Sequence, residues 1–139
     1  MAITTRAAKG SPLTHTEVDT NFTDLRDNKA GYVTGDGGEV TQTTSKSTGV
    51  TLNKLCGIIV MDDETLTAGS SATFILSNNK VTANDVIAVN HIDVGSGSAY
   101  LLNAQASANQ IKFHVRNITS SDKSQAIKLA FAVIKSVNS

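Results

Sequence analysis

The hydrophobic pattern changes period once along this chain, near residue 38, and the change divides it into two unlike parts. Residues 11–30 carry one short pattern of helical spacing. Residues 39–139 instead read as one strand after another, joined by polar turns such as 46–49. A chain of 139 residues holds one ordinary domain plus an appendage. We therefore predict an N-terminal helical arm over 1–30, a glycine-rich hinge over 31–38 and a β-domain over 39–139.

The second part predicts a mainly β domain. Its clearest alternation lies between Gln110 and Arg116, where a one-residue slip in register would expose every inward side chain. The side chains predicted to face inward there are Ile111, Phe113 and Val115. Residues 57–61 predict a strand buried on both faces, and residues 127–134 are apolar enough for a central strand. We predict an antiparallel β-sandwich of jelly-roll or Greek-key type with about eight strands, and an open barrel as the alternative.

Composition and charge narrow the classes of partner. Aromatic residues make up 4% of the chain and tryptophan is absent, so the core must be largely aliphatic. Twelve basic residues balance twelve acidic ones without a basic run, so neither nucleic acid nor membrane is an expected partner. We find no signal peptide and no membrane-spanning stretch, and expect a soluble protein made in the cytoplasm. The single cysteine, Cys56, is expected to be a small buried apolar residue.

The helical pattern of the first part has a recognisable beginning. Thr14 and Glu17 match a capping box, in which a hydroxyl and a carboxylate each satisfy a free backbone N–H group. Ser11 followed by Pro12 is an alternative start, with proline in the first helical position. The helix is predicted to run to about Lys29 and to end at the glycine that follows.

One narrow apolar stripe runs along this helix, with the alternating four- and three-residue spacing of a coiled-coil seam. A helix of about fifteen residues is only marginally stable by itself. The stripe must therefore be covered, either by the chain's own β-domain or by the same stripe of sister chains. The predicted interface for oligomerisation or anchoring consists of Leu13, Val18, Phe22 and Leu25. Residues 1–10 are small and polar without a period, and we expect them to be mobile unless a partner holds them.

Residue types that carry catalysis or bind metals occur without the spacing that such sites require. The three histidines are isolated in sequence, and His91 with Asp93 supplies at most two metal ligands. The acidic run 62–64 lacks the pattern of a calcium loop, so we interpret it as a solvated turn. The turn 95–98 does not match the Gly-x-Ser-x-Gly motif of a nucleophile. We therefore predict neither an enzyme nor a bound metal or cofactor.

The N-terminal residues carry a resemblance to a known group of proteins. Residues 5–14 read Thr-Arg-Ala-Ala-Lys-Gly-Ser-Pro-Leu-Thr and are followed by Glu17, Asp19, Asn21 and Phe22. This pattern resembles a leader near the start of tail-fibre and other virion proteins of tailed bacteriophages. Residues 44–54 and the ending Ala132–Lys135 also resemble a β-domain of such proteins.

The resemblance implies a virion structural protein, expected as a homotrimer whose N-terminal arm binds the particle while the β-domain projects outward. Tail fibres usually have long repetitive shafts, and this chain has none. The resemblance therefore implies a capsid-decorating (cement) protein or short head fibre that binds the major capsid protein or other virion proteins. The alternative is a tail fibre or receptor-binding tip that recognises a glycan or protein on the host surface. Both of these functions would place the protein in the virion.

Overall fold

A computed structural model of the chain describes residues 4–27, 32, 35–92 and 98–136, without the side chains of 24–27. The chain divides into two compact units, residues 1–34 and residues 35–139. Three sequence predictions fall wholly or partly outside the described residues. They concern the helix end near Lys29, the hinge 31–38, and the loop that contains Asp93 and residues 95–97.

The first unit contains two α-helices and the second unit eight β-strands among their described residues. The helices are α1 (Arg6–Lys9) and α2 (His15–Asp27). The strands are β1 (Glu39–Thr41), β2 (Val50–Thr51), β3 (Cys56–Val60), β4 (Ser71–Ser77), β5 (Val86–His91), β6 (Tyr100–Ser107), β7 (Gln110–Asn117) and β8 (Lys128–Ile134). The prediction of a mainly β chain with an N-terminal helical arm is confirmed.

The strands form two four-stranded sheets of a β-sandwich, as predicted. The first sheet has the strand order β1-β3-β8-β5 and the second sheet has the order β2-β4-β7-β6. The antiparallel pairs β3–β8 and β4–β7 are nested in sequence, as in the winding of a jelly roll. Strands β5 and β6 add antiparallel to the far sides of β8 and β7. The short strands β1 and β2 pair in parallel with β3 and β4, so antiparallel pairing holds for the six longer strands only.

The core lies between the two sheets and contains a small aromatic cluster surrounded by aliphatic side chains. The predicted inward residues of β7 are at most 1% exposed, which confirms their register: Ile111, Phe113 and Val115. The ring of Phe113 stacks on Phe74 of β4, with centroids 5.2 Å apart, and lies edge-on to Phe131 of the first sheet at 6.2 Å. Strand β8 lies between β3 and β5, which confirms that residues 127–134 form a central strand.

Strand β3 differs from its prediction, because it is not buried on both faces. Ile59 and Met61 are at most 1% exposed and belong to the core. Ile58 and Val60 are half-buried and lie on the outer face of the sheet. A two-layer sandwich has one core, so the chain's own packing covers one face of each strand. Cys56 shares this outer face and is half-buried rather than buried.

Five polar or charged side chains of the described β-unit are buried: Gln42, Lys46, Asn78, Asp85 and Asn117. Such groups are costly to bury unless they are hydrogen-bonded. Asn78 shows the pattern, since its Nδ2 donates to the backbone oxygen of Lys54 at 2.6 Å and its Oδ1 accepts from the backbone nitrogen of Lys80 at 3.0 Å. One buried amide thus joins two loops of the sandwich.

Lys46 is buried although the turn predicted at 46–49 is present. Its side chain is 1% exposed. Its Nζ donates to the backbone oxygens of Asp62 and Gln125, the latter at 2.9 Å, and its backbone nitrogen donates to Glu64 Oε2 at 3.0 Å. Burial lowers the pKa of Lys46, while the nearby carboxylates act in the opposite direction. The acidic run 62–64 therefore folds around an ammonium group, and its interpretation as a simple solvated turn was incomplete.

Asn117 makes five side-chain hydrogen-bond contacts, more than any other described residue of the β-unit, and it is 0% exposed. Its Nδ2 lies 3.0 Å, 3.3 Å and 2.9 Å from the backbone oxygens of Leu66, Thr67 and Ser121. Its Oδ1 accepts from the backbone nitrogen and the hydroxyl of Thr119, at 3.0 Å and 2.7 Å. The side chain therefore fastens the loop that precedes β4 to the loop that follows β7.

Asp85 fastens the end of β8 to the start of β5. Its Oδ2 accepts from Lys135 Nζ at 2.7 Å and from the backbone nitrogen of Thr82 at 2.8 Å, and its Oδ1 accepts from the backbone nitrogen of Ser136 at 3.3 Å. Burial alone would raise the pKa of this carboxyl. The hydrogen bonds from Lys135, Thr82 and Ser136 outweigh burial and hold the pKa of Asp85 well below its usual range.

We expect Asp85→Asn to lower the free energy of unfolding by about 2 kcal/mol at neutral pH, because it removes hydrogen bonds to a buried charge. The pKa of Asp85 is lower in the folded chain than its ordinary value of 3.8, so its contribution is complete above that pH and disappears as the pH falls through the folded-state pKa. Urea unfolding of wild type and variant from pH 7 to pH 2 tests this. The control is the exposed Asp19→Asn, and a difference between wild type and Asp85→Asn that stays constant below pH 4 would contradict the prediction.

Candidate functional site

The first ten residues contain a short helix, contrary to the expectation that they lack structure. Helix α1 begins after Thr5, whose hydroxyl accepts a hydrogen bond from the backbone nitrogen of Ala8 at 3.2 Å. It ends at Gly10, which has the left-handed φ of 70° that favours glycine, and whose N–H donates to the backbone oxygen of Arg6. Local capping therefore orders residues that have no hydrophobic period.

Helix α2 begins with the predicted capping box, so the alternative start at Ser11 and Pro12 is not used. The backbone nitrogen of Thr14 donates to Glu17 Oε2 at 2.7 Å, and the backbone nitrogen of Glu17 donates to Thr14 Oγ1 at 3.2 Å. Lys9 Nζ lies 2.5 Å from the same Glu17 Oε2. The bond from Lys9, followed by that from Thr14, lowers the pKa of Glu17 to about 2.

A second link joins the start of the chain to the middle of α2. The backbone nitrogen of Thr4 donates to Asn21 Oδ1 at 2.9 Å, and Asn21 Nδ2 donates to the backbone oxygen of Thr4 at 2.8 Å. Together with the Lys9–Glu17 ion pair, this reciprocal pair folds the leader back along the helix. We call residues 4–27 the N-terminal clip.

The four predicted interface residues occupy different environments in the N-terminal clip. Leu13 and Val18 are half-buried, whereas Phe22 exposes 67% of its surface. The side chain of Leu25 lies outside the described residues. An exposed phenylalanine beside half-buried aliphatic residues is typical of a contact surface. That these residues form an interface stays a prediction.

The outer face of the first sheet is mostly apolar. We define the first-sheet face by the outward residues of its four strands: Glu39, Thr41, Cys56, Ile58, Val60, Val86, Ala88, Asn90, Lys128, Ala130, Ala132 and Ile134. Val86 and Ile134 are direct neighbours in register and expose 58% and 56% of their surfaces. The outer face of a sandwich sheet in water is normally polar, so this face has the composition of a surface that a partner covers.

The outer face of the second sheet has the opposite character. We define the second-sheet face by its outward residues: Thr51, Ser71, Thr73, Ile75, Ser77, Leu101, Asn103, Gln105, Ser107, Gln110, Lys112, His114 and Arg116. None of the chain's acidic residues lies in the strands of this sheet. Thr73 Oγ1 lies 2.9 Å from His114 Nδ1, and a shallow cavity is lined by Asn103, Gln105, Lys112 and His114. This face therefore presents hydrogen-bonding groups and positive charge to solvent.

Residues with catalytic or metal-binding chemistry do not converge in the part of the chain that the structure describes. No group of three or more His, Cys, Asp and Glu side chains there is placed to hold a metal ion. Burial and, secondarily, the charge of Asp36 raise the pKa of the Cys56 thiol, which makes it a poor nucleophile at neutral pH. His91 is half-buried at the end of β5, and its suggested partner Asp93 lies outside the described residues.

Two further results concern membrane-spanning helices and similarity to known proteins. None of the helices in residues 4–27, 32, 35–92 and 98–136 is long and apolar enough to cross a lipid bilayer. Comparisons of the chain with protein-family models, with curated proteins and with solved structures found no match. The function is therefore inferred from the residues and surfaces of the chain itself.

Proposed function

We propose that this chain is a non-enzymatic structural protein of a tailed-bacteriophage virion, a homotrimeric capsid-decorating (cement) or head-fibre protein that binds the capsid lattice through its N-terminal clip. One observation carries the proposal. The residues of the phage-like leader are the same residues that cap, bridge and close the clip: Thr5, Lys9, Gly10, Thr14, Glu17 and Asn21. The last residue of the motif, Phe22, is the one that the clip leaves exposed.

The physical role of such a clip is to reduce the entropy lost on binding. A mobile leader would lose conformational freedom when it docks, and a leader that is already folded loses less. One exposed aromatic residue makes a weak site alone. Three copies on one trimer bind a symmetric lattice with far higher avidity than a single clip, because the second and third contacts are intramolecular.

We expect Phe22→Asp to reduce attachment of the full-length protein to undecorated capsids by at least about 100-fold, since loss of an aromatic anchor is multiplied over several clips. Co-sedimentation with capsid particles measures the attachment. The matched control is Thr23→Asp, which adds the same charge to the neighbouring exposed position of α2. If Phe22→Asp attached to capsids as well as wild type, the N-terminal clip would not be the part of the protein that binds them.

A second candidate function is a receptor-binding tip that recognises a host-surface glycan or protein. The second-sheet face favours it, because amides, hydroxyls and cationic groups without carboxylates suit an acidic saccharide. The same face lacks aromatic side chains on which a sugar ring could stack, which makes this the weaker candidate. Binding of the wild-type chain to host cells, without binding to capsids, would select the receptor-binding function.

A further inference from the structure

We propose that the first-sheet face is the surface through which copies of this chain associate, so that the β-units form the trimer core. The number three rests on the proposed function, while the location of the contact rests on the face itself. In this arrangement the N-terminal clips are left to bind the particle. The sequence alone predicted the helix stripe as an interface for oligomerisation or anchoring, whereas the chemistry of the β-unit points to self-association on β1, β3, β8 and β5.

The contrast between the two outer faces is the first argument. Eight of the twelve outward residues of the first-sheet face are apolar, against two of the thirteen on the second-sheet face. Both faces belong to the same two-layer sandwich, so the fold itself does not require them to differ. Exposure of Val86 and Ile134 beyond half of their surfaces gains nothing for the folding of a single chain. The first-sheet face therefore has the composition of an interface.

The distribution of polar residues is the second argument. Glu39 and Thr41 lie on the edge strand β1, Asn90 lies on the opposite edge strand β5, and Lys128 lies at one end of β8. The polar groups thus lie on the two edge strands and at one end of the sheet, and the apolar residues form one continuous patch that reaches Val86 and Ile134 at the other end. The chain has a net charge of zero, so sister copies approach without long-range repulsion.

The shapes of the two flanks favour a closed ring. The β3 flank carries branched side chains, Ile58 and Val60, whereas the β8 and β5 flank has small ones at its centre: Ala88, Ala130 and Ala132. Branched side chains of one copy fit over the small residues of the next, and a heterologous contact of this kind forms a ring where its rotation closes. Such a ring also covers the edge strands β1 and β5.

The area of the face also argues against a simple dimer. The four strands are three to seven residues long and about 4.8 Å apart, and at about 3.3 Å per residue they give a footprint of roughly 330 Å². Two such faces laid flat bury about 660 Å² in total, below the roughly 1,200 Å² of the smallest stable interfaces. A ring adds the edge strands to the buried surface and gives each copy two neighbours.

The test introduces a charge into the exposed pair Val86–Ile134 without changing a core residue. Ile134→Glu is compared with Leu101→Glu, because both residues are 56% exposed and they lie on opposite outer faces. Native mass spectrometry of the full chain is expected to find three copies for wild type and Leu101→Glu, and one copy for Ile134→Glu. Far-UV circular dichroism checks that each variant is folded, and Val86→Glu replaces Ile134→Glu if that variant unfolds. Phe22→Asp is expected to remain trimeric.

Cys56 provides a second readout, because it lies beside Ala132 on this face. A thiol reagent at alkaline pH is expected to label Ile134→Glu several-fold faster than wild type or Leu101→Glu. The inference is overturned if Ile134→Glu forms the same oligomer as wild type, or if the wild-type chain is a monomer. A trimer that binds capsids and stays trimeric as Ile134→Glu overturns only this inference, whereas a trimer that needs this face but never binds capsids overturns only the proposed function.

Discussion

Replacing Asn117 with leucine is expected to lower the free energy of unfolding by about 4 kcal/mol, the largest effect that we predict for a single polar side chain. The side chain is fully buried, and its amide nitrogen is surrounded by three backbone oxygens. Leucine has a similar volume but makes none of these hydrogen bonds, and it leaves the N–H of Thr119 without its acceptor. The cost therefore comes from lost hydrogen bonds in a buried site rather than from a cavity.

Urea unfolding at neutral pH, followed by circular dichroism, measures this effect as a shift of the midpoint at constant slope. The matched control is Asn103→Leu, the same substitution on the exposed second-sheet face, which is expected to change stability by less than about 0.5 kcal/mol. Equal midpoints for the two variants would show that the loops before β4 and after β7 do not depend on this amide.

Lys46→Ala is expected to lower the free energy of unfolding by about 3 kcal/mol, since it leaves a cavity and removes two hydrogen bonds from a buried ammonium group. The two accepting backbone oxygens belong to Asp62 and Gln125, which are far apart in sequence. Lys46→Met fills the same space and removes the buried charge, so its cost is expected to be nearer 1 kcal/mol. The exposed Lys112→Ala is the control.

The same urea measurement separates packing from hydrogen bonding at Lys46. If Met and Ala at this position cost the same, the hydrogen bonds carry the effect and the side-chain volume does not. A loss for Lys46→Ala no larger than that for Lys112→Ala would contradict the burial of this lysine.

The strands could be predicted from the sequence because each depends on local alternation. Ile111, Phe113 and Val115 have one arrangement that buries all three, so period and register followed from the residues themselves. The capping box of α2 was equally local, since Thr14 and Glu17 are three residues apart. A local pattern specifies a local structure whenever few alternatives bury the same apolar groups.

The N-terminal clip could be predicted only in part. The reciprocal bonds between Thr4 and Asn21 join residues 17 positions apart, and no periodicity indicates them. Lys9 and Glu17 lie in different helices, α1 and α2, so no helical period predicts their ion pair. The glycine at position 10 was a usable signal, since a threonine directly before a four-residue helix and a glycine directly after it mark a short capped helix.

The sequence by itself determined the elements of this protein: a capped helix near the N-terminus, then eight strands with an aliphatic core and a fixed inward register. Only the tertiary structure decided which polar residues are buried and which apolar residues are left outside. Lys46 and Asn117 lie in polar stretches and are buried, whereas Ile134 lies in an apolar stretch and exposes 56% of its surface. Burial depends on which loops and sheets meet across the fold, and contacts between distant residues leave no period in the sequence.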